Sequence, residues 1–260
     1  APLFRCGKSD TSLSFRSAAV IVWAMVKRPR RPELKDRREI PNYVIPEAAH
    51  YLRVAEATLR SWVLGRAYPT KAGDREFRPL IRLAQHEPPL LSFINLVEAH
   101  VLDAIRHEHR LPLKTVCAAL EYVAREFGSR HPLAKQQFET DGVNLFIQKV
   151  DKLINVSQDG QVAMRELLKS HLQRIEHDEA GLAIRLYPFT RPDHAQQPRA
   201  VVIDPRMSFG RPVIAGTGIA TAVIAERYVA GESMVELAKD YGRELSEIEE
   251  VVRCELREAA

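Results

Sequence analysis

The chain has 260 residues, of which 45% are apolar and 28% charged, and its net charge at neutral pH is +4. This composition is that of a folded globular protein and excludes a wholly disordered chain. The length allows one large domain or two to three small ones. The three cysteines, Cys6, Cys117 and Cys254, form no CxxC motif, which argues against a disulfide scaffold or a cysteine-rich zinc module. We therefore expect a protein of the reducing cytoplasm.

The first forty residues predict neither an export signal nor a membrane anchor. The longest apolar run there, Ala18–Val26, has nine residues, and a spanning helix needs about 20. The basic stretch Lys27–Arg31 follows where a signal peptide would have its cleavage site. Positive charge and three nearby prolines predict that residues 1–40 form a flexible basic segment.

Residues 41–130 carry the pattern of a winged helix-turn-helix domain. Ile45–Leu52, with a proline in the first turn, predicts one short helix, and Ala55–Leu64, ended by Gly65, predicts a second. Small and bulky apolar side chains would pack between the two helices. These are Ala48, Ala49, Leu52, Val54, Leu59 and Trp62.

A wing and two longer helices are expected to follow in the same domain. Leu80–Leu83 and Leu90–Phe93 flank a polar segment with two prolines and predict a β-hairpin. Phe93–Arg106 and Leu113–Phe127 have apolar residues at helical spacing, and a glycine ends the second.

The middle of the chain, residues 131–189, predicts a small α+β block. Val143–Ile147, Leu153–Val156 and Leu182–Tyr187 resemble strands, and Gln161–Leu172 has a helical pattern. The dipeptide Asp141–Gly142 predicts a turn before the first strand. Three prolines between positions 188 and 198 predict a linker over residues 190–198.

The last block, residues 199–260, predicts a short strand at Ala200–Ile203, a loop at Gly210–Gly218 and a helix over Thr221–Ala230. Two capping boxes predict the starts of two further helices. The pairs are Ser233 with Glu236 and Ser246 with Glu249. The whole chain is therefore expected to be mainly α with small β elements, an α+β fold.

Positive charge is concentrated around the helix-turn-helix. Lys27–Arg82 contains fourteen Lys/Arg and seven Asp/Glu, a net charge of +7. Such a patch supplies the phosphate neutralisation that DNA binding needs. The polar and basic residues free of the helix packing, or lying between the second helix and the wing, are the candidate DNA contacts. They are Arg53, Thr58, Arg60, Ser61, Lys71, Arg75, Arg78 and Arg82.

Catalytic, cofactor and metal motifs are not found. The sequence has no nucleophile elbow, P-loop, HExxH or dinucleotide-binding motif. His107 and His109 would point to different sides of a helix, and His171 with Glu176–Asp178 falls near a helix end where polar residues are common. We therefore expect no metal, no cofactor and no enzymatic activity. The acidic stretch Glu244–Glu258, net −4, argues against DNA contact and favours a protein partner or a solvated face.

Two stretches resemble known families. Tyr43–Val54 followed by Thr58–Trp62 looks like the opening of MerR-like winged helix-turn-helix domains. Ile203–Met207, Gly210–Ile219 and Gly231–Tyr241 are similar to a small domain of VapB-like antitoxins, with Gly218 where that domain usually has arginine. Together they resemble VapB-type antitoxins with a MerR-like N-terminal half.

The resemblance implies a cytoplasmic antitoxin of a type II toxin–antitoxin system. Such a protein binds its own promoter DNA and neutralises a PIN-like ribonuclease toxin, and a two-fold DNA site would be bound by a homodimer. An acidic C-terminal block also complements a basic RNA-binding cleft. The candidate toxin contacts are Arg211, Thr217, Glu247 and Glu250, together with the Gly210–Gly218 loop.

Two other functions remain open at this point. One is a transcription regulator without a toxin, whose middle block binds a small ligand. The other is a nuclease, although the sequence lacks the cluster of acidic residues that metal-dependent cleavage requires.

Overall fold

Helices dominate the part of the chain that the computed structural model describes, which comprises residues 36–70, 73–107, 111–191 and 197–256. For residues 68–70, 73–77 and 107 only the backbone is described. These parts belong to one compact unit, Lys35–Ala260. Short antiparallel strand pairs accompany the helices, so the expected α+β class with mainly helical content is confirmed.

The helix-turn-helix follows a two-residue strand, β1 (Tyr43–Val44). Helix α1 spans Ile45–Leu52 and helix α2 spans Glu56–Leu64. Arg53 makes the turn between them in the left-handed region, with φ 56°. All six residues expected to pack between the helices are buried, which confirms this part of the sequence analysis.

The wing lies earlier in the chain than the sequence indicated. The hairpin is formed by β2 (Arg66–Thr70) and β3 (Gly73–Phe77), which pair antiparallel. The predicted hairpin of Leu80–Leu83 and Leu90–Phe93 was wrong. Leu80–Leu83 forms no strand, and Leu90–Leu91 does form one but pairs with β1, leaving only a single bridge between Gln85 and Leu90. The sequence of the true hairpin is mostly polar and contains a proline, so it lacks the alternation of apolar residues that marks a strand.

Two long helices complete the first half, as the sequence predicts. Strand β4 (Leu90–Leu91) pairs with β1, and the chain then enters α3 (Phe93–His107) and α4 (Leu113–Phe127). Gly128 ends α4 with φ 56°. Residues 108–110, which include His109, lie outside the described residues.

The middle block is more helical than the sequence indicated. A π-helical turn over Phe138–Gly142 leads directly into α5 (Val143–Ile154). The two predicted strands and the predicted Asp141–Gly142 turn were therefore wrong. A Cβ atom on Gly142 would lie 2.6 Å from the Phe138 ring, so glycine serves close packing here.

The rest of this block contains α6 (Gln158–Leu172) and the strand pair β5 (Ile175–His177) and β6 (Ala183–Leu186). The sequence predicts α6 and β6 but not β5. Helix α6 packs on α3 and α5 packs on α4, so the middle block shares one hydrophobic core with the helix-turn-helix.

The C-terminal block begins with β7 (Val201–Val202) and β8 (Val213–Ile214), which pair antiparallel. Three helices follow: α7 (Thr221–Val229), α8 (Met234–Tyr241) and α9 (Leu245–Glu255).

The starts of the last two helices test the two predicted capping boxes. The box of Ser233 with Glu236 is confirmed at the start of α8. The second prediction was wrong. With Ser246 as the N-cap, the helix would begin at residue 247, but α9 begins at Leu245, and Glu244 and Glu247 form its capping box.

The C-terminal block packs against the helix-turn-helix through α1 and α9. Its own core gathers apolar residues of β7, α7, α8 and α9 around Ile224 and Ile248. The predicted division into domains, with a linker at residues 190–198, stays a prediction, and residues 192–196 lie outside the described part of the chain.

Candidate nucleic-acid interface

Helix α2 is held rigidly from its buried side. Leu59 is fully buried and the indole of Trp62 is only 1% exposed. The Trp62 carbonyl accepts hydrogen bonds from the backbone N–H groups of Leu80 (2.8 Å) and Ile81 (3.0 Å). These bonds tie the segment that leaves the hairpin back to α2, so both ends of the hairpin are fixed beside this helix.

The opposite side of α2 presents polar side chains to solvent. Arg60 is half exposed, and its guanidinium forms an i,i+4 ion pair with Glu56 at 2.7 Å. An exposed pair of this kind contributes only about 0.3–0.5 kcal/mol, so phosphate can replace the carboxylate as partner. The Ser61 hydroxyl donates to the Thr58 carbonyl at 2.7 Å, and both side chains are half-buried.

The hairpin places one more candidate beside α2. Arg75 lies in β3 opposite Tyr68 of β2, and its side chain is outside the described residues. Lys71 also lies outside the described residues.

A groove of about 1080 Å³ runs between α2, the segment after the hairpin, and α4. It brings together four of the candidate DNA contacts: Thr58, Ser61, Arg78 and Arg82. The sequence analysis missed four further cations that line the same groove. They are Arg66, Arg106, Lys114 and Arg130. Lys114 and Arg130 line the groove because the fold sets α4 across it from α2, an arrangement that no local pattern encodes.

Arg53, another candidate DNA contact, has a different surrounding. Its guanidinium donates a hydrogen bond of 2.6 Å to the Arg253 carbonyl in α9. This hydrogen bond joins the helix-turn-helix to the C-terminal block.

The loop predicted to bind a toxin is also anchored on the helix-turn-helix. Arg211 forms an ion pair with Glu47 of α1, and its guanidinium lies 6.0 Å from the centre of the Tyr43 ring. The Tyr43 hydroxyl donates to the Gly210 carbonyl at 2.7 Å. Burial raises the pKa of Tyr43 to about 12, so the hydroxyl keeps its proton at neutral pH.

Glu250 was expected on an accessible surface and is buried instead, with 1% of its surface exposed. Burial alone would raise its pKa, but hydrogen bonds from Arg191 and Thr190 hold the pKa below its usual value. Arg253 adds a third contact at 2.6 Å. The carboxylate therefore binds α9 to the segment before residue 192.

The two other candidate toxin contacts are half-buried. Glu247 forms an ion pair with Arg243 at 2.5 Å and accepts a hydrogen bond from the Glu244 N–H at 3.1 Å. The Thr217 hydroxyl donates to the Ile214 carbonyl at 2.9 Å and so closes its loop.

Within the described residues, no group of three or more His, Cys, Asp or Glu side chains is arranged to hold a metal ion. In the same part of the chain, no helix combines the length and apolarity needed to cross a bilayer.

Comparisons with known proteins match both halves of the chain. Residues 41–120 match a family model described as "Putative DNA-binding HTH domain", and residues 201–253 match "Protein of unknown function (DUF433)". The protein "Putative antitoxin VapB45" of Mycobacterium tuberculosis is 30% identical over 228 residues, which cover 81% of this chain and 92% of that protein. The chain belongs to the VapB-like antitoxin family.

Two further comparisons extend over most of this VapB-like chain. The Mycobacterium tuberculosis protein Rv2308 is 23% identical over 219 residues, covering 81% of this chain and 88% of its own. The crystal structure of Rv2018 from the same species shares 26% identity at a TM-score of 0.61, covering 82% of this chain and 98% of that one. The match to the DNA-binding model ends at residue 120, so Arg130 of the groove lies beyond it.

Proposed function

We propose that this VapB-like chain is an antitoxin that represses its own promoter and neutralises a PIN-like ribonuclease, with no catalytic role of its own. The observation that carries the proposal is the joint presence of a basic helix-turn-helix and a net-negative C-terminal block in one protein of this family. The basic block complements the charge of DNA phosphates, and the acidic block complements a basic RNA-binding cleft.

The DNA-binding part of the proposal depends on α2 and the hairpin. The exposed side of α2 offers Arg60 for base or phosphate contact, and Thr58 and Ser61 lie at the edge of the basic groove. Phosphate neutralisation by such cations supplies most of the non-specific affinity for DNA, and base-edge contacts add specificity.

A gel shift with the chain's own promoter tests this part. We expect binding that weakens steeply with salt, and Arg60→Ala should lose affinity for the promoter. Arg125→Ala is the matched control, since Arg125 is exposed on α4 but does not line the groove. Equal promoter binding by wild type and Arg60→Ala would contradict a reading role for this side chain.

The toxin-binding part depends on the charge of the C-terminal helices. Residues 221–256 contain nine Asp/Glu and four Lys/Arg, a net charge of −5. A ribonuclease must present a basic cleft to RNA, and opposite charges favour association of the two surfaces. Of the two predicted acidic contacts, Glu250 is buried, whereas Glu247, although paired with Arg243, keeps 26% of its side chain exposed, so Glu247 is the one to test.

Co-expression of the full chain with the ribonuclease of the adjacent reading frame tests this part. We expect the two proteins to co-purify and RNA cleavage to be suppressed. Glu247→Lys should weaken both, whereas Glu166→Lys, an exposed change on α6, should not. If both variants protect RNA as well as wild type does, the toxin contacts lie elsewhere.

A homodimer is part of the same proposal, because two-fold symmetric proteins read two-fold symmetric operators. Light scattering should give the mass of two chains at micromolar concentration. A monomer mass throughout that range would contradict the dimer and a palindromic operator.

A further inference from the structure

The groove beside α2 is strongly positive. Six cations line it, Arg66, Arg78, Arg82, Arg106, Lys114 and Arg130, against two carboxylates, Glu98 and Glu121. None of the six forms an ion pair with a carboxylate in the described part of the chain. Cations gathered without counter-charges repel one another, so this groove favours an anionic occupant.

The two carboxylates offset the positive charge of the groove only in part. Glu98 is only 5% exposed, and it is already bound by His131 at 3.1 Å and by the Asn95 amide at 3.3 Å. Glu121 is exposed on α4, where it is the one carboxylate of the groove lining that faces solvent freely.

The cations come from both walls of the groove. Arg66, Arg78 and Arg82 belong to the α2 side, whereas Lys114 stands on the first turn of α4 and Arg130 follows its end. The lining of α4 extends from Leu113 to Ala124, a rise of roughly 17 Å along the helix. A small anion would need donors that converge on one point, so this spread favours an extended polyanion.

We propose that the groove is a track for the phosphodiester backbone of DNA, in which Lys114 and Arg130 bind phosphates from the wall opposite α2. The inference rests on the proposed function, since it assigns to the bound DNA a second contact surface outside the helix-turn-helix and its wing. Thr58 and Ser61 line the same groove, so a strand lying in it continues onto the exposed side of α2. Backbone contacts of this kind position the duplex and carry no sequence information themselves.

The test is fluorescence anisotropy with the full chain, using the promoter duplex and a random-sequence duplex over a salt series. Lys114→Ala and Arg130→Ala should each weaken both duplexes by the same factor, roughly three- to tenfold, and flatten the salt slope by about 0.9. The ratio of the two affinities should stay as in wild type, whereas Arg60→Ala should reduce it. Arg125→Ala on α4 is the control and should change none of these values.

A variant that binds DNA more tightly provides a further test, because a misfolded variant would lose affinity and not gain it. Glu121→Gln removes a carboxylate from the groove and should tighten binding to both duplexes. Glu126→Gln makes the same change on α4 at an exposed site that does not line the groove, and it should bind as wild type.

Three results would contradict the proposal that the groove binds the DNA backbone. If wild type binds the promoter but the Lys114 and Arg130 variants keep its affinity and salt slope, the backbone does not lie there, and the proposed DNA binding stands. If calorimetry shows pyrophosphate binding that Lys114→Ala abolishes, while the DNA salt slope is unchanged, the groove holds a small anion. If wild type binds neither duplex at low salt, the proposed function fails together with the track.

Discussion

At the scale of single residues, Arg174 shows how one side chain fixes a long stretch of chain. It is 5% exposed, and its guanidinium donates to the carbonyls of Tyr187 (2.8 Å), Pro188 (3.0 Å), Gln197 (2.9 Å) and Pro198 (3.1 Å). Burial lowers the pKa of Arg174 to about 10, which still leaves the group charged at neutral pH. Both ends of the proline-rich segment are therefore held by one cation.

Arg174→Met should destabilise the protein by about 3 kcal/mol or more, because it leaves buried carbonyls without a donor. The free energy of unfolding from a urea titration measures this. The control is Lys169→Ala, an exposed change on α6, which should cost less than about 0.5 kcal/mol. Equal losses for the two variants would show that the carbonyl contacts are not structurally important.

Gly210 is needed for two reasons at once. Its φ of +77° is disfavoured for other residues, and a Cβ atom there would overlap the Tyr43 hydroxyl. Gly210→Ala should therefore cost about 1–3 kcal/mol. Gly218→Ala is the control from the same loop region, since its φ is ordinary and no atom lies within 4 Å of the added carbon. Thermal unfolding of the two variants should differ clearly, and overlapping melting curves would contradict the contact with Tyr43.

The pair of His131 and Glu98 makes stability depend on pH. Its hydrogen bond to Glu98 raises the pKa of His131 above the usual 6.5, against the opposing effect of burial. A group whose pKa is raised on folding stabilises the protein fully below its unfolded pKa and loses that contribution as pH rises through the folded pKa. The stability advantage of wild type over His131→Asn should therefore shrink from about pH 6.5 upward. Urea titrations at several pH values test this, and an advantage that does not change with pH would refute it.

At the scale of secondary-structure elements, the sequence predicts those whose apolar residues repeat with one clear period. Helices α1 to α4 and α6 to α9 follow from helical spacing, capping residues and terminal glycines. Helix α5 was mistaken for strands because Val143–Ile147 is rich in residues that favour strands. Its buried positions 143, 146, 147 and 150 nevertheless have helical spacing.

Only part of the candidate site could be predicted from the sequence. The α2 residues follow from the local pattern of the helix-turn-helix. The far wall of the groove depends on the fold, which sets α4 across the groove from α2, and no local period encodes this arrangement of distant parts of the chain. The hairpin was misplaced because its mostly polar sequence carries no burial signal.

Trp62 is the largest of the three α2 side chains that pack into the core, with Leu59 and Val63. Its indole is 1% exposed, so Trp62→Ala should reduce the free energy of unfolding by about 3–5 kcal/mol. Leu64→Ala, on the same helix but 41% exposed, should cost much less. Circular-dichroism melts compare the two variants. A melt of Trp62→Ala that overlays wild type would place the indole outside the core.

At the scale of the whole molecule, the block with the antitoxin resemblance is packed directly on the helix-turn-helix. Arg53, Glu47 and Tyr43 of the first half contact Arg253, Arg211 and Gly210 of the last block, respectively. These contacts lie on α1, β1 and the turn, and the exposed side of α2 takes no part in them. The exposed side of α2 therefore stays accessible while the C-terminal block is in place, as the proposed binding of two partners requires.

Promoter recognition is tested by the binding of the full chain to its own promoter, compared with a scrambled duplex of the same composition over a salt series. We expect the promoter to bind tighter at every salt concentration and both affinities to fall linearly in a plot of log affinity against log salt. Equal affinity for the two duplexes, or no binding at low salt, would contradict an antitoxin that regulates its own promoter.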